Sequence, residues 1–252
     1  MNPLIQALMD RKARGERIAV LTAYDYPTAK LLEECGIDLL LVGDSLGMVV
    51  LGYEDTTSVT MDEMLHHTRA VARGVTRTPI LADLPINSYN TPEAAVQNGR
   101  LLLEAGAHAV KLEGGTALVP QVAALHAAGI PVMAHIGMMP QHVREEGGYK
   151  IKGKTAEEAE RLLADARAVE AAGSWGLLLE LVRPDVAKTI TEAIRIPTIG
   201  IGAGVDCDGQ VLVTPDLVGG FPWFTPRFVK PKANIAASIR EAVRGFIEEV
   251  KA

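Results

Sequence analysis

Gly36-Ile37-Asp38-Leu39-Leu40-Leu41-Val42-Gly43-Asp44-Ser45-Leu46-Gly47-Met48 is the stretch on which the fold turns. Its apolar run, Ile37 to Val42, is too short to cross a membrane. It lacks polar alternation, as expected of a strand buried on both faces. The run breaks into Gly43-Asp44-Ser45, which places a carboxylate and a hydroxyl at the strand's carboxyl end, on a glycine-flanked turn where backbone can approach a ligand. Four later segments repeat the pattern of an apolar run followed by charged or imidazole residues. They are Pro79–Ala82 before Asp83, Ala107–Leu112 with Lys111 before Glu113, Ile130–Ala134 before His135, and Gly176–Leu179 before Glu180.

Outward from these, Ile18–Thr22, Ile196–Ile201 and Gly209–Val213 complete a set of eight expected strands. Helical signals fall between them. Thr60 stands three residues before Glu63, the capping-box spacing. Thr91 precedes Pro92, a pairing suited to a first helical turn, and a helix is expected to begin near Pro27. Further helices are expected over Met1–Arg14, Leu118–Ala128, Ala156–Ala172 and from Pro184 to about Ile194. In Ala233–Val250, Ile235, Ile239, Val243, Phe246, Ile247 and Val250 fall at helical spacing, so this tail is expected to dock as a final helix. Eight strands alternating with helices over 252 residues predict a closed (β/α)8 TIM barrel occupying 1–252 as one domain. An open doubly wound sheet is the structural alternative.

Composition narrows the function. With 48% hydrophobic, 22% charged and only 4% aromatic residues, the chain suits a globular protein whose core is aliphatic. A net charge of −6, without a basic cluster beyond Arg11–Arg17, argues against nucleic acid or an anionic membrane as partner. The amino terminus carries Asp10, Arg11, Lys12 and Arg14 where a signal sequence needs apolar and small residues. Cys35 and Cys207 lack CxxC spacing. They read as small buried or semi-buried thiols in a reducing cytoplasm rather than a disulfide.

Barrel enzymes gather their chemistry at the carboxyl ends of strands, and Asp44, Ser45, Asp83, Lys111, Glu113, His135 and Glu180 all fall there. Converging carboxylates repel one another unless a cation lies among them. Their oxygen character suits a hard ion such as Mg2+, which takes one or two carboxylates directly and keeps several waters. Lys111 could answer a substrate carboxylate or a developing enolate oxygen, or simply pair with a neighbouring acid. The apolar wall behind Glu180 would raise its pKa toward that of a useful general base; a hydrogen-bonded structural carboxylate is the alternative. His135 could polarise an oxygen, or serve as a positioning residue behind the reacting groups. Three other motifs read as structural. Gly200-Ile201-Gly202-Ala203-Gly204 lacks dinucleotide-loop spacing, Asp206–Gly209 is too short for an EF-hand loop, and His66 and His67 point about 100° apart on a helix.

The segments LTAYDYPTA (21–29), VGDSLGMVVLGYEDT (42–56), ADLPINSY (82–89), VKLEGG (110–115), PVMAHIGMMPQ (131–141), GGYKIKGK (147–154), LLLELV (177–182) and IPTIGIGAGVDCDGQVLV (196–213) occur in this order. Together they resemble the ketopantoate hydroxymethyltransferase family from about Ile18 to Phe228. That resemblance implies a barrel related to the phosphoenolpyruvate mutase and isocitrate lyase group. It implies transfer of a one-carbon unit from 5,10-methylenetetrahydrofolate to 3-methyl-2-oxobutanoate, giving 2-dehydropantoate in pantothenate and coenzyme A synthesis. By motif, Asp44, Asp83 and Glu113 match the family's magnesium positions. Asp44, Ser45, Asp83 and Lys111 match its oxo-acid contacts, and Glu180 its catalytic base. A cytoplasmic homo-oligomer, usually a decamer, is also implied. Two departures bear on loop closure and folate contacts: Lys152 replaces the family's usual glutamine, and Gly219-Gly220-Phe221-Pro222-Trp223 differs from the usual segment after the barrel. A related magnesium-dependent lyase acting on another 2-oxo acid and a catalytically silent barrel are the competing readings.

Overall fold

A computed structural model of the chain describes residues 2–252; Met1, which the sequence assigns to the first helix, lies outside the described residues. Eight parallel strands close into a barrel in sequence order: β1 (Ile18–Thr22), β2 (Leu39–Val42), β3 (Ile80–Asp83), β4 (Ala109–Glu113), β5 (Val132–Gly137), β6 (Gly176–Glu180), β7 (Thr198–Ile201) and β8 (Gly209–Leu212). The open-sheet alternative is thereby excluded.

Alternation along the strands divides the apolar residues between two environments, because successive side chains leave a strand on opposite faces. Leu40, Val42, Ile80, Ala82, Val110, Leu112 and Val132 share a buried cluster with residues of the surrounding helices. Their neighbours Leu39, Leu41, Leu81, Ala109, Met133, Leu178 and Ile199 pack with one another inside the barrel. Ile5 and Leu8, from the helix Pro3–Arg14, belong to this interior cluster together with Trp175. The first helix therefore plugs the end of the barrel opposite the strands' carboxyl ends.

The expected helix starts are found. Thr60 and Glu63 form a reciprocal capping box on Met61–Ala72, and Thr91 caps Pro92–Glu104 with Pro92 in the first turn. Asp25 caps Tyr26–Glu34. Several strands start later than expected, because the residues after a helix first close that helix. Ile37 N–H donates to Leu32 O and Ala107 N–H to Leu102 O, so β2 begins at Leu39 and β4 at Ala109. At the other end, β5 continues through His135 to Gly137. A polar residue does not end a strand when it points into a barrel mouth lined by partners. The loops expected over 48–60 and 137–154 contain short helical turns at Thr56–Ser58, Pro140–His142 and Val143–Glu146. Arg144 ties the two loops together through Asp55 (Nε to Oδ2, 2.6 Å). Cys207 is buried as expected, whereas Cys35 is exposed because it sits at the C-cap of its helix.

The contacts within the chain group into two compact units, Met1–Val211 and Leu212–Ala252. Within the second, Lys232 N–H donates to Leu217 O and Ile235 N–H to Val218 O, which leads into the helix Ile235–Lys251. The apolar row expected to dock is exposed on this helix; Phe246 and Val250 are 66% and 68% accessible.

Gly209 shows how tightly the barrel closes. A Cβ there would lie 2.4 Å from the carbonyl oxygen of Ile18 and 2.6 Å from Ile199 Cδ1. Gly209→Ala should cost about 1–3 kcal/mol, the usual penalty of overpacking. Gly245→Ala, whose Cβ would meet nothing within 4 Å on the last helix, should stabilise by about 0.5–1 kcal/mol. Urea unfolding of the two variants checks the pair.

Candidate active site

The alternation that fills the barrel interior also assembles the site. Two residues beyond interior Leu81, Ala109, Met133 and Leu178 come Asp83, Lys111, His135 and Glu180 on the same inward face. Pairing across the strands sets Asp83 opposite Lys111, Glu113 opposite His135, and Gly137 opposite Glu180. Asp44, Asp83, Lys111, Glu113 and His135 are each 4% accessible or less. The Glu180 side chain, nearest the mouth of this group, is 14% accessible.

These side chains form one charged cluster. The Lys111 ammonium lies 3.1 Å from Asp83 Oδ1, 3.7 Å from Glu113 Oε1 and 3.5 Å from His135 Nδ1. Burial works to lower its pKa, but Asp83, Glu113 and Asp44 outweigh it, and Lys111 stays charged. His135 bridges the cluster: Nδ1 is 3.3 Å from Glu113 Oε1, and Nε2 is 3.6 Å from Glu180 Oε2. Burial lowers its pKa against the opposing pull of Glu113.

The carboxylates diverge according to their neighbours. Burial raises Glu113, but His135 and Lys111 override it and hold the group below the usual range. Burial, then repulsion from Asp83 and Glu113, lifts Asp44 well above that range, and burial also raises Asp83. Glu180 is pushed up to about 8 by burial and by Glu113. Its backbone is held firmly: Met138 N–H donates to Glu180 O at 2.8 Å. Gly137 has φ +100°, and a Cβ there would lie 2.3 Å from the same oxygen. Leu181 follows with φ 47°, a left-handed conformation uncommon for leucine.

The oxygen donors of Asp44 and Asp83 suit a hard cation. Asp44 N–H donates to Asp83 Oδ2 at 3.1 Å, and Gln141 Nε2 donates to Asp44 Oδ2 at 2.7 Å. Asp83 Oδ1 is buried with the Lys111 ammonium 3.1 Å away as its close partner and makes no further hydrogen bond among the described residues. Two neighbouring carboxylates with an oxygen in that state fit an ion that takes one or two of them and keeps its waters. Among the described residues no group of three His, Cys, Asp or Glu side chains stands ready to hold a metal ion; the Lys111 ammonium lies within 3.7 Å of both Asp83 and Glu113.

Ser45 stands at the margin, where its Oγ shares a 2.8 Å hydrogen bond with the Tyr24 hydroxyl. Sequence reasoning missed Tyr24, Tyr89, Gln141 and Tyr149, although all four lie in the quoted segments. Neutral amides and phenols carry no charge to announce them. Tyr149 leans from the 147–154 loop with its hydroxyl 3.8 Å from Met48 Sδ; burial, then Glu180 and Asp44, raise its pKa. Among the motifs set aside, His67 Nδ1 bonds the Tyr24 carbonyl at 2.6 Å. Gly200 packs where a Cβ would lie 2.9 Å from Cys207 Sγ.

Residues 3–252 match the family described as Ketopantoate hydroxymethyltransferase. Two relatives carry the name 3-methyl-2-oxobutanoate hydroxymethyltransferase. That of Syntrophus aciditrophicus is 54% identical, over 95% of this chain and 89% of its own length. That of Carboxydothermus hydrogenoformans is 52% identical, over 98% and 90%. Among solved structures, phosphonopyruvate hydrolase complexed with oxalate and Mg2+ superposes with TM-score 0.67 and 16% identity, over 98% of this chain and 87% of that one. A 2,3-dimethylmalate lyase of the PEP mutase/isocitrate lyase superfamily gives 0.65 and 18%, over 100% and 88%. These likenesses show a shared barrel fold, and by sequence the chain belongs to the ketopantoate hydroxymethyltransferase family and is an enzyme of it.

Proposed function

We propose that the chain transfers a hydroxymethyl group from 5,10-methylenetetrahydrofolate to 3-methyl-2-oxobutanoate, forming 2-dehydropantoate on the route to pantothenate and coenzyme A. The observation that carries this reading is Glu180. Its carboxyl, held near pKa 8, faces across His135 a cluster containing the Lys111 ammonium. A base with that proton affinity suits abstraction next to a carbonyl at neutral pH. The names carried by relatives over half identical support the oxo-acid acceptor and the group transferred.

In this reading Asp44 and Asp83 hold Mg2+, with Glu113 acting from behind Lys111 or through water. When bound, the ion supplies Lewis-acid polarisation of the oxo acid's ketone and carboxylate oxygens. Glu180 accepts the proton from C3 as the C3–H bond breaks. Lys111 stabilises the negative charge that develops on the substrate oxygens. C3 then bonds to the donor's methylene carbon and water furnishes the hydroxyl oxygen as that carbon's two C–N bonds break; the proton taken from C3 and one from water go to the two nitrogens of the departing tetrahydrofolate. Ser45, steadied by Tyr24, orients the substrate carboxylate, and His135 positions Glu180 and Glu113. We place the protein in the cytoplasm, which suits its exposed free thiol at Cys35; among the described residues no helix is long and apolar enough to cross a membrane. A homodecamer is part of the same reading, and the exposed apolar row of the last helix supports self-assembly.

Turnover should require the oxo acid, methylenetetrahydrofolate and Mg2+ together; turnover without folate would point to a lyase instead. Glu180→Gln should slow exchange of the C3 proton with deuterated water by about 10²–10⁴-fold, the usual contribution of a general base. The variant should still bind the oxo acid, and undiminished exchange removes Glu180 from the role. Asp83→Asn should abolish the response of activity to added Mg2+; an unaltered Mg2+ titration counts against this ion site.

The raised pKa also has a stability consequence in chelator-treated protein. Between about pH 4.5 and about 8, Glu180 keeps a proton in the folded chain that the unfolded chain has lost. Stability therefore falls as pH rises through this window. Glu180→Gln cannot titrate, so it should gain on the wild type by up to about 1.4 kcal/mol per pH unit. Urea midpoints from pH 5 to 8 measure the divergence, and parallel curves would contradict the shift.

A further inference from the structure

Gln141 follows Pro140 on the loop after β5 and is 1% accessible. It touches two of the four acidic residues of the cluster by different routes. Its side-chain Nε2 donates to Asp44 Oδ2 at 2.7 Å and to the Leu84 carbonyl at 3.0 Å. Its backbone N–H donates to Glu113 Oε2 at 2.9 Å. The remaining amide atom, Oε1, accepts a short hydrogen bond from the Tyr89 hydroxyl. Tyr89 is 6% accessible, and its oxygen is also reached by Glu113 N–H at 3.4 Å.

Every polar position of this amide is thus assigned, and the assignment has one orientation. Nε2 faces two acceptors and Oε1 faces a donor, so turning the amide over would set acceptor against acceptor. A carboxylate in its place would meet Asp44 as a like charge. A hydrocarbon of the same length would leave Asp44 Oδ2, the Leu84 carbonyl and the Tyr89 hydroxyl buried without their partner.

We propose that Gln141, locked by Tyr89, is a positioning residue for the divalent-cation site. It commits Oδ2 of Asp44 and Oε2 of Glu113 to the protein and so fixes which carboxylate oxygens face the ion. This rests on the Mg2+ reading given above and extends it to two neutral residues outside the expected ligand set. Groups that orient a ligand from behind typically control metal affinity by about 10–100-fold when removed. The loop carrying Gln141 thereby becomes part of the metal site without supplying a ligand.

The test uses Mn2+ as a spin-bearing probe on the full-length, chelator-treated chain, followed by electron paramagnetic resonance and calorimetry. Gln141→Met, which keeps length and loses the donor, should weaken Mn2+ binding about 10–100-fold and broaden the bound-ion spectrum. Tyr89→Phe, which releases the amide without removing it, should weaken binding less, by about three- to tenfold. It also serves as the second probe if Gln141→Met fails to fold. Mn2+ affinity and line shape within twofold of wild type in the folded variants would overturn the proposal. So would a loss of melting temperature with the bound-ion spectrum unchanged, since that describes a residue that only knits the loop to the barrel. Failure of the wild type to bind Mn2+ would instead overturn the cation reading itself, and this proposal with it.

Discussion

The Lys111 ammonium, 3.1 Å from Asp83 and 3.7 Å from Glu113, lies just above an apolar barrel interior where no charge is tolerated alone. Stripping one partner from such a buried set typically costs about 3–5 kcal/mol, because the charge left behind has neither water nor a counter-ion. The arrangement of the site follows from this constraint. Lys111 and His135 keep Glu113 ionised despite complete burial. Asp44, on which burial and the repulsion of Asp83 and Glu113 outweigh Lys111, is lifted instead, and Asp83 is raised with it. One buried lysine thus sets Glu113 apart from its two neighbouring acids.

Around that centre the backbone is held under tension. Glu180 lies between Gly137, whose φ of +100° leaves no room for a side chain, and Leu181 in a left-handed conformation. Lys152 N–H donates to Leu181 O, and Arg183 N–H to Lys152 O, so the loop bearing Tyr149 is stitched to the residues that follow Glu180. A non-glycine residue at positive φ persists only where its surroundings over-determine it. Here those surroundings are the elements that aim the carboxyl. Lys152 performs this stitching through its main chain while its side chain pairs with Glu146.

Much of this was legible in the sequence, for a physical reason. A strand buried on both faces has to be apolar until it leaves the barrel, so Asp83, Lys111 and Glu180 stand out against their own strands. Caps such as Thr60 with Glu63 are equally local. What stayed hidden depends on neighbours distant in sequence. Nothing in Gly-Met-Met-Pro-Gln indicates that Gln141 will reach Asp44, 97 positions earlier. Strand starts at Ile37 and Ala107 were misplaced because the preceding helix takes those amides first. The last helix showed an apolar face without showing what would cover it, and in the single chain that face is exposed.

The first helix carries a further consequence. With Ile5 and Leu8 set against the packed interior layer, the barrel is sealed at that end. Whatever reaches Lys111 and Glu180 therefore arrives by the rim at the strands' carboxyl ends, and a layer of hydrocarbon far from the charges decides on which side of the molecule chemistry can take place.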